Sequence, residues 1–318
     1  MNLKLILLFV VACSIYYVVS ATSLGPSNLY LYSVNANNKI EMTVVNIASG
    51  VATKSVLPIK FQHDITLIKF LGVDSNQNFL LLAMNPRDAY GIITISQAGK
   101  LVTGPSYVGP ILADYEWYAT SLQYDSTRNA VYLVTSASNT QGPGMFIYDF
   151  ANSSTSALNL TMPDVNPPNG CFDGVNNYYI MDITDKDYSQ FELGYYSFAD
   201  NQQHESLNVT GIPANSDTYL YCANKQVYTV VYNTMAPKEM TLFLMDVQEA
   251  TATQSFHIPN TGMMNSLQLW FSDNYFVILT SSNKELFITT VDLNTNQVVL
   301  STQIKGKINL QPQASGVF

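Results

Sequence analysis

Asn129 to Pro163 reads NAVYLVTSASNTQGPGMFIYDFANSSTSALNLTMP. An apolar, β-branched run from Ala130 to Thr135 leads into a polar loop that carries glycines. A second run, Met145 to Phe150, ends in a turn of Ala, Asn and Ser, and a weaker third run, Ala157 to Met162, stops at Pro163. Short β-branched and aromatic runs separated by turn formers read as consecutive antiparallel strands.

The same unit recurs along the chain. Its copies begin at Asn28 (NLYLYSV), Asn78 (NFLLLAM), Asn129, Asn177 (NYYIMDI), Lys225 (KQVYTVV) and Asn274 (NYFVILT), at spacings of 50, 51, 48, 48 and 49 residues. A steady period in this range marks a solenoid or a propeller. The second run of each copy ends in a small polar residue (Asn46, Thr94, Asp149, Ser197, Asp246, Asp292), one more apolar residue and then turn formers. Pro58, Pro110, Pro163, Pro213 and Pro259 are expected to close the third strands, because proline has no N–H to give a ladder.

A further run precedes every copy except the first: Ile65–Val73, Tyr118–Tyr124, the neighbourhood of Cys171–Phe172, Thr218–Cys222 and Ser266–Phe271. Four short antiparallel strands per period make the blade of a β-propeller. The first copy lacks its leading strand, and Lys307–Phe318 has no copy after it. Pairing these two loose ends closes the ring. The expected fold is therefore all-β, a six-bladed β-propeller of four-stranded antiparallel blades whose first blade is completed by the C-terminal strand.

Residues 1–21 read as a signal peptide. Lys4 precedes an apolar run from Leu5 to Val19, and Val19-Ser20-Ala21 supplies small residues for cleavage. The run is short for a membrane span, which needs about 20 apolar residues. Residues 22–318 form one domain, expected to be secreted and monomeric, with no stable membrane insertion after cleavage. The formal charge is −9, and removing Lys4 makes it −9 − 1 = −10. An acidic surface repels phosphate backbones, which argues against nucleic acid.

Three sequons, beginning at Asn152, Asn159 and Asn208, are candidate glycosylation sites, Asn152 on a turn and the others on the outermost strands. Cys171 and Cys222 remain after cleavage, 222 − 171 = 51 residues apart, on the leading strands of neighbouring blades. An oxidising compartment favours a disulfide. Counted to the next unit, however, Cys171 lies six residues ahead and Cys222 three, so buried free thiols remain the alternative.

Residues suited to chemistry are sparse. His63, His204 and His257 lie in different copies, none with a metal-ligand partner at the usual spacing. No nucleotide, dinucleotide or nucleophile-elbow motif occurs, so no cofactor is expected. Asp182-x-x-Asp185-x-Asp187 spaces oxygens as calcium would accept, but the glycine and closing glutamate of a helix–loop–helix site are missing. The connections into the leading strands would rim one mouth of the channel. They carry Asp64, Asp114, Glu116, Trp117, Asp164 and Asp217, with His63 and Tyr115 beside them. Such a rim suits a cation, a sugar or a peptide; equally, these are polar residues that solvate strand starts. The intervals from Asp64, Glu116 and Asp217 to the next unit are 78 − 64 = 14, 129 − 116 = 13 and 225 − 217 = 8. This uneven register predicts that the three do not share one ion.

Tyr124-Asp125-Ser126-Thr127-Arg128-Asn129-Ala130-Val131-Tyr132, its partial copy Val73-Asp74-Ser75-Asn76-Gln77-Asn78, and Val291-Asp292-Leu293-Asn294-Thr295-Asn296 resemble the turns of YVTN and quinoprotein-like propeller repeats. The resemblance implies the propeller and carries over no functional residue. Quinoprotein dehydrogenases hold their cofactor beside vicinal cysteines, and this chain has none. The Asn-rich, charge-poor composition is similar to that of secreted amoebozoan proteins. The expectation is a secreted, non-enzymatic propeller that binds an extracellular protein or glycan. The alternatives are a metal-dependent hydrolase, since six-bladed lactonase-like enzymes resemble this chain in architecture, and a cell-surface or structural protein.

Overall fold

The structure is a computed structural model, described for residues 25–61, 64–74, 76–86, 90–104, 121–135, 144–152, 154–161, 169–185, 188–233, 240–258, 269–282, 285–308 and 314–317. It contains six four-stranded antiparallel sheets, arranged as the blades of a propeller. Blade 1 comprises β1 (Asn28–Val34), β2 (Lys39–Asn46) and β3 (Ala52–Lys60). Blade 2 holds β4 (Thr66–Val73), β5 (Phe79–Met84), β6 (Tyr90–Ile95) and β7 (Leu101–Thr103), and blade 3 holds β8 (Gln123–Asp125), β9 (Ala130–Thr135), β10 (Gly144–Asp149) and β11 (Ser154–Asn159). Blade 4 is β12 (Asn169–Phe172), β13 (Asn177–Ile183), β14 (Phe191–Ser197) and β15 (Gln202–Asn208). Blade 5 is β16 (Ser216–Ala223), β17 (Gln226–Asn233), β18 (Met240–Asp246) and β19 (Thr251–Ile258). Blade 6 is β20 (Leu269–Ser272), β21 (Tyr275–Ser282), β22 (Glu285–Asp292) and β23 (Gln297–Gln303). The last strand, β24 (Ala314–Val317), pairs antiparallel with β1, so blade 1 takes its innermost strand from the C-terminal segment.

Burial explains the composition of each position in a blade. The second strands are covered on both faces by neighbouring blades, and β9 (AVYLVT) is buried at every residue. Such strands read as continuous apolar runs rather than alternating ones. The outermost strands meet solvent, and β11 (STSALN) is exposed at nearly every position. Apolar clusters fill the spaces between blades. Tyr32 of blade 1 packs with Phe79 and Leu81 of blade 2, and Leu242 of blade 5 with Phe276 and Ile278 of blade 6.

The recurring aspartates act as turn locks. Asp74, Asp125 and Asp173 end the innermost strands of blades 2 to 4, and their carboxylates accept backbone N–H bonds from the following turns. Asp149, Asp246 and Asp292 do the same between third and fourth strands. A carboxylate that satisfies its own turn two or three residues on is the physical content of the repeated Asp. The blade 5 hairpin departs from this. Asn224 and Lys225 both take positive φ, 49° and 61°, which makes a two-residue turn of the kind that suits strand twist.

Pro58 does not close its strand. It lies inside β3, where the pairing with β2 jumps from Lys39–Lys60 to Glu41–Val56. An outermost strand needs no N–H on its free side, and a bulge absorbs the missing one. Pro213 stands between β15 and β16 as expected, while Pro110, Pro163 and Pro259 lie outside the described residues. In blade 3 the last strand begins earlier than the apolar run suggests, at Ser154. Its side chains face water, so hydrophobicity does not mark it.

Neighbouring blades are also tied by backbone. Val51 bridges Lys305 and Thr210 bridges Thr251, joining the outer parts of blades 6 and 1 and of blades 4 and 5. Beside each bridge a glycine with positive φ lets the chains meet: a Cβ on Gly50 would stand 1.9 Å from the Gln303 carbonyl oxygen, and one on Gly211 2.2 Å from that of Ala252.

Candidate functional site

The innermost strands surround a central cavity of about 430 Å³. Its lining comes from β4, β16, β20 and β24 and from Leu122–Tyr124 at the start of blade 3. Each of these strands has a free backbone edge, so N–H and C=O groups alternate with apolar side chains around the wall.

Lys69 of β4 is the charged side chain among the described residues of this lining. Its position follows from how β4 is built. Leu67, Phe70 and Val73 pack into the cluster shared with blade 1, while Ile68 and Leu71 pack into the cluster shared with blade 3. Two bulges interrupt the pairing of β4 with β5, between Leu67 and Lys69 and between Phe70 and Gly72. Bulges re-aim side chains, and here they leave Lys69 between two fully occupied apolar faces. Lys69 Nζ donates to the Leu122 carbonyl at 2.5 Å. Burial among apolar groups pushes its amine down to about 7.

A second concavity, about 340 Å³, lies between blades 2 and 3. Tyr124, Tyr148 and Phe150 line it with Leu80 and Ile92, and Asp74, Thr94, Thr103 and Asn129 supply polar groups. The Tyr148 and Phe150 rings meet edge to face at 4.6 Å, and Phe150 meets Tyr124 the same way at 6.2 Å. The Tyr124 hydroxyl donates to Asn129 Oδ1 at 3.0 Å, which fixes the amide beside the rings. Burial, then the neighbouring Asp74 and Asp125 carboxylates, raise the Tyr124 phenol, so it stays protonated as a donor. Burial works to raise the Asp74 carboxyl, but hydrogen bonds from Asn78 and Asn76 outweigh it and hold it below the usual range.

Of the expected mouth residues, Asp64 and Asp217 are described. Asp64 is exposed and accepts a bond from Asn38 Nδ2 at 2.6 Å, which ties the blade 1–2 connection to the first hairpin. Asp217 stands near the start of β16, partly buried, and burial raises its carboxyl. Neither lines either cavity. Asp114, Glu116, Trp117 and Asp164 lie outside the described residues, as do His63 and the signal-like segment 1–21. Among the described residues no three His, Cys, Asp or Glu side chains gather around a point where an ion would sit. Asp185 is occupied by its own turn, accepting from the backbone N–H groups of Ser189 and Gln190 and from the Ser189 hydroxyl. His204 stacks on Tyr195 at 4.4 Å and lies 3.1 Å from Asp200, and His257 is exposed on β19.

A disulfide joins Cys171 to Cys222, with Cα atoms 5.4 Å apart. The unequal counts to the next unit reflect turn length. Each cysteine is the next-to-last residue of its strand, followed by Phe172 or Ala223. The turn after β12 is four residues long and that after β16 is two, so the two sulfurs lie at one depth. The sequon residues Asn152, Asn159 and Asn208 are all exposed.

Sequence reasoning passed over Lys69, Tyr148 and Phe150. A signal existed for the lysine, which is the lone charge within the apolar run Ile65–Val73. The groove aromatics have none, because Tyr148 near the end of β10 and Phe150 just after it look like any blade core.

No protein-family model and no curated protein sequence matches the chain. Among solved structures, it is similar to a puromycin hydrolase mutant complexed with PGG (12% identity, 87% of this chain and 47% of that one, TM-score 0.51). It is also similar to a proposed 6-phosphogluconolactonase from Bacteroides fragilis (11% identity, 94% and 99%, TM-score 0.46). A protein of unknown function from Desulfotomaculum acetoxidans resembles it as well (12% identity, 86% and 78%, TM-score 0.45). The chain spans about half the length of the hydrolase. Similarity at this identity shows the propeller fold alone.

Proposed function

We propose that this chain is a secreted, non-enzymatic propeller that binds an extracellular glycan in the groove between blades 2 and 3. The observation that carries the reading is the groove itself, in which Tyr124, Tyr148 and Phe150 stand beside Asn129, Thr94 and Thr103. Aromatic faces take the C–H faces of a sugar ring, and amide and hydroxyl groups take its hydroxyls. A few placed polar groups on a mainly apolar wall are the usual make-up of a small-ligand site. Three exposed sequons and a disulfide between blades suit an extracellular setting. The mouth residues of the hydrolase alternative lie mostly outside the described residues, and no observation favours that reading.

Titration calorimetry with neutral mono- and disaccharides tests the proposal. Binding should weaken about tenfold or more in Tyr148→Ala, a loss of ~1.4 kcal/mol, while the melting curve keeps its cooperativity. Failure of the folded protein to bind any member of a broad glycan array would sink it. The amino terminus of the secreted protein should be Thr22, and retention of residues 1–21 on the mature chain would contradict the secretion reading.

A further inference from the structure

We propose that the outer edge of blade 1 is a docking surface for a linear sulfated glycan, held by Lys39, Lys54, Lys60, Lys305 and Lys307. The charge of the chain is sharply divided. Residues 25–61 and 304–318, which build blade 1 and its closing segment, carry five lysines and one acid, Glu41, a balance of 5 − 1 = +4. Residues 62–303 carry eight basic and 22 acidic residues, 8 − 22 = −14. All five lysines are exposed. Lys54 pairs with Glu41 at 2.6 Å, and the other four have no ion-pair partner among the described residues. Asp64, just past blade 1, accepts from Asn38 rather than from a lysine.

The lysines form a row. Leu57 and Ile59 of β3 belong to the cluster shared with blade 2, so Lys54, Val56 and Lys60 take the opposite face of the strand. Lys39 of β2 stands directly across from Lys60. Like charges opposed on a ladder destabilise it, and an anion laid between them relieves the repulsion. At the other end of β3 the bridge between Val51 and Lys305 brings Lys305, and Lys307 two residues on, beside the start of the strand. At about 3.3 Å per residue, Lys54 and Lys60 stand roughly 20 Å apart along the chain, which suits a long, thin polyanion. A lysine ammonium meets a sulfate as a compact point charge.

Lysine and proline also guard a free sheet edge against strand addition. That role does not account for this row: β7, β11, β15, β19 and β23 are outermost strands too and contain no lysine or arginine, and Lys39, Lys305 and Lys307 lie off β3. Pro58 and the break in register disfavour an added peptide strand, so contact falls to the side chains. The exposed apolar residues of this edge are Val51 and Val56, without the Trp or Tyr that anchors a protein at a lipid interface. The acidic remainder of the ring repels a broad polyanion such as duplex nucleic acid, whereas one glycan chain lies along one blade. The sequon at Asn208 is on blade 4, opposite blade 1 in a ring of six, and leaves the edge clear.

The test is titration calorimetry of the full secreted protein with heparin oligosaccharides at neutral pH. Five contacts, each releasing about 0.7 counterion, predict a roughly hundredfold loss of affinity between about 50 and 200 mM salt. Lys39→Gln with Lys60→Gln should weaken binding about tenfold at the lower salt and, by removing opposed charges, should melt no lower than the parent. Lys225→Gln, at an exposed lysine of blade 5, should leave binding within about twofold. Tyr148→Ala in the groove between blades 2 and 3 should leave it unchanged, which separates this surface from the neutral-glycan site. Failure to bind heparin, equal binding of desulfated heparin, or an equal loss in Lys225→Gln would overturn the proposal. Tighter binding to phosphatidylserine vesicles than to heparin would also overturn it and make the edge a lipid-facing one.

Discussion

Leu29 and Val317 stand opposite each other in antiparallel register, so the first and last strands meet within one blade. Three further pairs follow, down to Tyr32 opposite Ala314. Ala314 belongs to the apolar cluster between blades 1 and 2, and Val317 to the one between blades 6 and 1. The closing strand therefore seals both seams beside it. Gly316 is required where it passes Phe70, since a Cβ there would lie 2.1 Å from the ring.

Removing residues 314–318 should open the ring at this point. The free edge of β1 and the uncovered clusters should lower the melting midpoint by ~5 °C or more and promote association through the exposed edge. Scanning calorimetry with light scattering measures both. Melting of the truncated chain at the full-length temperature would contradict closure by β24.

The Cys171–Cys222 bond closes a loop of about one repeat between neighbouring innermost strands. Replacing both residues by Ala should destabilise the fold by about 2–4 kcal/mol, chiefly by freeing the unfolded chain. Denaturant melts of the parent and the double variant give the difference directly. Equal midpoints would mean that the bond adds nothing beyond the packing of Cys171 and its neighbours.

Asp125 is almost fully buried and serves several partners at once. It accepts from the N–H groups of Thr127 and Arg128, from the Tyr132 hydroxyl and from the Arg128 guanidinium, which reaches on to Val175 and Asn176 of blade 4. Burial works to raise its carboxyl, but the hydrogen bonds, Arg128 foremost, outweigh this and leave it below the ordinary value. A carboxyl depressed on folding stabilises above its unfolded value of about 3.9, and that contribution is lost as pH falls through the folded value. Asp125→Asn should cost about 1–3 kcal/mol at pH 7, and the gap to the parent should narrow below about pH 4. Urea melts across that range decide it; a pH-independent gap would place the cost in shape rather than charge.

The sequons at Asn152, Asn159 and Asn208 are exposed and clear of the blade cores. If the chain is secreted, peptide N-glycosidase should lower its mass and convert at least one of these residues to Asp. Replacing all three by Gln should leave the unfolding free energy within about 0.5 kcal/mol of that of the enzyme-treated protein, as surface changes usually do. A secreted protein with no mass shift would remove the glycoprotein reading.

Periodicity carried the architecture. Six runs at a spacing near 49 residues, each followed by a polar residue and a turn, were enough to place second and third strands, because a strand buried on both faces must be continuously apolar. The outermost strands were less legible, as β11 and the internal Pro58 show, since a solvent-facing edge strand places few demands on its residues. The aspartates at strand ends were visible as a pattern, and their hydrogen bonds account for it.

By itself the sequence determined the fold class, the number of blades, the closure by the C-terminal segment and the residues locking the turns. All of these rest on local patterning and a repeat length. The tertiary structure alone decided what lies at one depth or on one wall. It joined Cys171 to Cys222 despite their unequal counts, because turn length and strand length trade against each other. It turned Lys69 out of an apolar run, because two bulges break the period that a linear reading assumes. It also set Tyr148 beside Tyr124, from a strand two removed within the same blade, because a groove between blades is a property of how sheets pack and has no contiguous spelling in the chain.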